Sequence, residues 1–102
     1  MKVKIEIDPE TLFLVHRLVL DKAQTIGHRS SKKSMLTELF EILSRKCISY
    51  TANANGKKRT LVLWYHLAFV IFEISRDDHP SYGHYERNKL DQLKNQLYLK
   101  ML

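Results

Sequence analysis

Basic and hydroxyl side chains gather at two places in this 102-residue chain. One is His28-Arg29-Ser30-Ser31-Lys32-Lys33-Ser34, just ahead of an amphipathic stretch. The other is Lys57-Lys58-Arg59-Thr60, just ahead of a long apolar run. A helix N-terminus carries partial positive charge and free backbone N–H groups, so acids are favoured there and bases are not. Arg29, Lys32 and Lys33 at such an end, beside Ser30, Ser31 and Ser34, are electrostatically costly until an anion arrives. A phosphate would satisfy every donor. Lys57, Lys58, Arg59 and Thr60 repeat the arrangement, with Arg45 and Lys46 expected close by. Against phosphate binding stands a plainer reading, a solvated basic face that aids solubility.

Other combinations carry less chemistry. Asp77-Asp78-His79 with His84 and Glu86 mixes hard and borderline metal ligands. It lacks the spacing of a zinc or calcium site, so it reads as a solvated turn and no metal is expected. His66 interrupts an apolar run, with Glu73 seven residues on, about 10 Å along a helix and too far for a direct bond. No nucleophile or acid converges on it. Cys47 lies on an apolar face and reads as packing. Trp64 and Tyr65 read first as core or interface residues, then as stacking platforms for a single-stranded nucleic acid. The expectation is a non-enzymatic protein with no cofactor.

The net charge of +6 is localised. Residues 1–27 and 61–102 are each balanced between bases and acids. Residues 28–60 hold eight Lys and Arg against Glu38 and Glu41 alone. That asymmetry points to an anionic partner, most often nucleic acid. One cysteine cannot form an internal disulfide, and the opening MKVKIEID has no signal-peptide core. A reducing, cytoplasmic setting follows as the expectation.

The elements that would position these residues make a mainly α fold in a single domain, 1–102, with halves at 1–50 and 57–102. Lys2 to Ile7 alternates strictly, with Val3, Ile5 and Ile7 on one side. That is a half-buried strand, and no other segment alternates as well. Its partner is therefore expected to be the same strand of a second copy, in a homodimer. Asp8-Pro9-Glu10 is a helix start, and Gly27 ends a helix over about 9–26. A second helix over about 31–50 is cleanly amphipathic. Thr60 to Ser75 holds no turn residue and is too long for one strand. It predicts a buried central helix within 59–76 that includes Phe69 in the core. It is too short for a membrane span, which needs about 20 apolar residues. The last helix covers about 84–100, with a thin stripe of Leu90, Leu93, Leu97 and Met101 suited to an outer surface or a protein partner.

In order, MKVKIEID, PETLFLVHRLVLDKAQTIG and HRSSKKSMLTELFEILSRK resemble the ribbon-helix-helix DNA-binding proteins over residues 2–48. In that family two strands from two chains pair, and the ribbon enters the major groove. The resemblance implies that Lys2, Lys4 and Glu6 face bases, Glu6 as a possible acceptor from cytosine N4. It implies that Ser30, Ser31, Lys32 and Lys33 face the backbone at the start of the second helix. The expected function is a small dimeric DNA-binding regulator. The alternative is an assembly or adaptor module, of the phage or plasmid type, whose basic face meets an acidic protein.

Overall fold

The computed structural model describes residues 1–25, 31–52, 57–76 and 82–101. The order is β1 (Lys2–Ile7), α1 (Pro9–Thr25), α2 (Ser31–Ala52), β2 (Arg59–Trp64), α3 (Tyr65–Arg76) and α4 (His84–Met101). The fold is mainly α, with four helices, as the sequence predicts. Two expectations change. The third helix does not begin at Arg59: its first six residues are a strand. The partner of β1 is that strand, not a second copy. β1 and β2 run antiparallel, in register from Lys2↔Trp64 to Ile7↔Arg59.

The physical reason lies in the outward positions. In β1 the outward side chains are Lys2, Lys4 and Glu6, so alternation is visible in the sequence. In β2 Leu61 and Leu63 are buried, while the outward Val62 and Trp64 are themselves apolar. An alternation of apolar with apolar looks like a continuous run. Thr60, Val62 and Trp64 are nevertheless residues that favour a pleated strand. The chain passes from strand to helix at Trp64-Tyr65 with no intervening turn, and the Tyr65 amide donates to the Met1 carbonyl at 3.0 Å. The last ladder bond thus also secures the start of α3.

α1 opens as expected. The Asp8 carboxylate accepts from the Thr11 amide (3.3 Å) and from the Thr11 hydroxyl (2.6 Å), and Pro9 occupies the first helical position. The four helices gather against the inner face of the ribbon. Val3, Ile5, Ile7, Leu61 and Leu63 join Leu12, Val15 and Val19 of α1, Leu36, Leu39 and Leu43 of α2, Leu67 and Ile71 of α3 and Leu97 of α4 in one core. Cys47 is buried in it, which pushes its thiol pKa up and suits a packing role. Phe69 departs from expectation: α3 buries Leu67, Ala68, Val70, Ile71 and Ile74 and leaves Phe69 43% exposed.

Tyr50 ties α2 to the ribbon. Its buried hydroxyl lies 2.7 Å from the Ile7 carbonyl and 3.0 Å from the Lys57 carbonyl, at the point where β1 ends and β2 is about to begin. The Arg59 guanidinium covers its ring at 4.3 Å and donates to the Ser49 hydroxyl at 3.1 Å. This end of α2 is therefore fixed beside Lys57–Arg59.

Candidate nucleic-acid interface

The ribbon's outer face brings together Lys2, Lys4 and Glu6 from one strand and Thr60, Val62 and Trp64 from the other. Side chains alternate across a strand, so burial of Val3, Ile5, Leu61 and Leu63 forces these six outward. Lys2, Lys4 and Glu6 are exposed, and the Lys2 ammonium sits 4.8 Å from the centre of the Trp64 ring. The cation lies over the aromatic face, where the ring's quadrupole attracts it.

Lys57 and Lys58, both exposed, stand at the other end of the ribbon, where Ile7 pairs with Arg59. Lys58 shares a small polar cleft of about 60 Å³ with Glu6, Asp8, Lys89 and Gln96. Within it Lys89 reaches the Asp8 carboxylate at 3.1 Å. That hydrogen bond raises the Lys89 pKa, so the ammonium stays charged. Burial alone would raise the Asp8 carboxyl, but the Thr11 and Lys89 donors outweigh it and hold the pKa below its ordinary value.

The backbone of Glu6 is also engaged. Its amide donates to Gln96 Oε1 at 2.8 Å, and its carbonyl accepts from Gln96 Nε2 at 3.0 Å. One amide side chain from α4 thus takes the place of a neighbouring strand at that point of β1.

The start of α2 is arranged differently from the expectation of a free phosphate cradle. Arg29 and Ser30 lie outside the described residues, and Ser31 opens the helix. Lys32 pairs with Glu73 of α3 at 3.0 Å, and the Lys33 ammonium bonds to the Ala23 carbonyl in the last turn of α1. A cation at that end of α1 meets the negative pole of the helix. The 22 residues of α2 span about 33 Å at 1.5 Å per residue, so Lys32 and Lys33 lie far from Lys57–Arg59. The structure brings Lys2, Lys4, Glu6, Lys57, Lys58 and Arg59 to the ribbon and leaves Lys32 and Lys33 away from it.

Val62 was not singled out in the sequence, and Thr60 and Trp64 were singled out for other roles; their shared place on the outer face of a strand was not foreseen. Their signal was the β-branched and aromatic character of TLVLW, outweighed by the length of the apolar run around it. His66 is exposed and lines a cleft of about 410 Å³ with Lys32, Met35, Tyr65, Phe69 and Glu73. Asp77, Asp78 and His79 lie outside the described residues, and no metal-ligating cluster occurs among the described ones. No described helix is long and apolar enough to cross a membrane. The chain matches no protein-family model, and no curated protein or solved structure is significantly similar to it.

Proposed function

We propose that this chain is a small, non-enzymatic, cytoplasmic protein that binds duplex DNA as a regulator, with a ribbon built from one chain. The observation that carries the reading is the solvent-facing side of β1–β2, where Lys2 and Lys4 project from an antiparallel two-stranded ribbon with Lys57 and Lys58 at its end. A major groove about 12 Å wide admits such a ribbon. The proteins that the first 48 residues resemble need two chains to make one; here a single chain supplies both strands.

The roles divide by position. Lys4, in the middle of the ribbon, meets base edges, together with Thr60 and Glu6. Lys57 and Lys58, at the end, meet phosphates. Lys32 and Lys33 contribute little, since they are bonded to Glu73 and Ala23 and sit about a helix length away.

A salt titration of duplex binding tests this division. Lys58→Ala should weaken all sequences alike and make the salt slope shallower by about 0.9. Lys4→Ala should lower discrimination between a selected site and random duplex by roughly 1–3 kcal/mol. Lys32→Ala should leave the slope unchanged. If the wild type binds no duplex even at low salt, the DNA reading is wrong. The exposed Trp64, Tyr65 and Phe69, with Tyr98 and Leu99 on α4, would then support the adaptor reading, in which the partner is an acidic protein.

A further inference from the structure

We infer that the free edge of β2 is a contact surface for a second copy of this chain, the two β2 strands pairing antiparallel about a two-fold axis at Val62. The first argument is the direction of the backbone groups. The Tyr65 amide donates to the Met1 carbonyl, so the odd-numbered residues of β2 face β1 in this register. N–H and C=O of one residue point to the same side of an antiparallel strand and alternate along it. Thr60, Val62 and Trp64 therefore aim theirs away from β1. The bonds of Glu6 to Gln96, on the far side of β1, follow the same alternation. The Trp64 carbonyl closes the first turn of α3, whereas among the described residues no hydrogen bond reaches the outward backbone groups of Thr60 or Val62. Such groups stand in water or take a partner.

The second argument is the contrast between the two edges. β1 carries Lys2 and Lys4 and is closed at Glu6 by Gln96, the devices that keep an edge from pairing. β2 from Thr60 to Trp64 has no charge and no proline, no such cover occurs among the described residues, and Val62 and Trp64 are 48% and 47% exposed.

The third argument selects the occupant. With Val62 opposite the partner's Val62, both bonds between them come from groups that already point outward. Thr60 then faces the partner's Trp64, and Leu61 faces the partner's Leu63. The outer face gains Val–Val and Thr–Trp pairs, and the inner apolar face continues across the axis. The antiparallel sense also places the two Lys57–Arg59 stretches at opposite ends of the paired strands, whereas a parallel sense would stack them.

This pairing does not rest on DNA binding. A four-stranded sheet spans about 14 Å between its outer backbones, wider than the major groove of about 12 Å. The monomer is therefore the form that would enter DNA.

The test is sedimentation of the full chain without DNA over a concentration series. The wild type should show a monomer–dimer equilibrium. Val62→Lys and Val62→Glu should each weaken it at least tenfold, because a like charge then meets itself across the axis. Val62→Thr should preserve it, and far-UV circular dichroism should show all four proteins equally folded. In a Cys47→Ala background, Val62→Cys should crosslink on mild oxidation, since Cα atoms of hydrogen-bonded antiparallel pairs lie about 5.5 Å apart. Lys4→Cys should not. A wild type that stays monomeric throughout would overturn the inference. So would a dimer indifferent to both charged variants. Absence of DNA binding at concentrations where the chain is monomeric, with dimerisation seen at higher ones, would instead count against the ribbon reading alone.

Discussion

Asp8 caps α1 and, through the same carboxylate, holds Lys89 of α4. Removal of a cap of this type costs about 0.5–2 kcal/mol. Asp8→Ala should therefore lower stability by about 1–2 kcal/mol, read as a shift in the urea midpoint at pH 7. The group's pKa is below its ordinary 3.8, so its contribution is present above that value and is lost as pH falls through the folded pKa. His16 works at higher pH. It stacks on Phe40 at 4.5 Å and lies 2.7 Å from the Ser44 hydroxyl, and burial pushes its pKa below the ordinary 6.5. The unfolded chain then takes up this proton more readily than the folded one. Stability from His16 is full above about pH 6.5 and declines as pH falls toward the lower, folded value. Urea midpoints at pH 7.5 and pH 5 should differ in that direction, and His16→Gln should reduce the difference.

At the scale of elements, α3 offers a sharp comparison. Ile71 is almost fully buried and Phe69 is 43% exposed. Ile71→Ala should cost about 2–5 kcal/mol, and Phe69→Ala clearly less. Chemical denaturation of the two variants checks it; equal losses would mean that Phe69 is in the core after all. Tyr50→Phe isolates the link between α2 and the ribbon. It removes one hydroxyl between the Ile7 and Lys57 carbonyls and should cost about 1–2 kcal/mol, with faster amide exchange at the Ile7–Arg59 end. These elements also show what could be read in advance. β1, the Asp8-Pro9 helix start and the amphipathic stripes of α1, α2 and α4 were legible, because each sets polar residues against apolar ones at a fixed period. β2 was not, because Val62 and Trp64 made its solvent side as apolar as its buried side. The site followed the same divide. Lys2, Lys4 and Glu6 could be placed on an outward face, whereas the engagement of Lys32 by Glu73 and of Lys33 by Ala23 depends on helix packing that no local pattern encodes.

For the whole molecule, the N-terminal strand is part of the core of a single chain. Val3, Ile5 and Ile7 are buried, and each such side chain contributes about 1.5–3 kcal/mol. Their combined contribution, roughly 5–9 kcal/mol, rivals the 5–15 kcal/mol by which a typical domain is stable. Deletion of residues 1–7 should therefore abolish cooperative unfolding of the monomer, and circular dichroism during a thermal scan would show it. A truncated chain that kept a sharp transition would mean that the helices fold without the ribbon.

The pairing of Lys2 with Trp64 also has a consequence in time. Protein synthesis proceeds at about 5–20 residues per second, so β1 leaves the ribosome several seconds before its mate exists. α1 and α2 can pack in that interval, while β1 waits with both edges open. Gln96, which closes one of them, is made later still. A bare apolar strand in that position invites association with neighbouring nascent chains. Lys2, Lys4 and Glu6, set between Val3, Ile5 and Ile7, put a charge at every second position of the waiting strand. The alternation that makes β1 easy to recognise is thus also what keeps it soluble until residue 64 has been made.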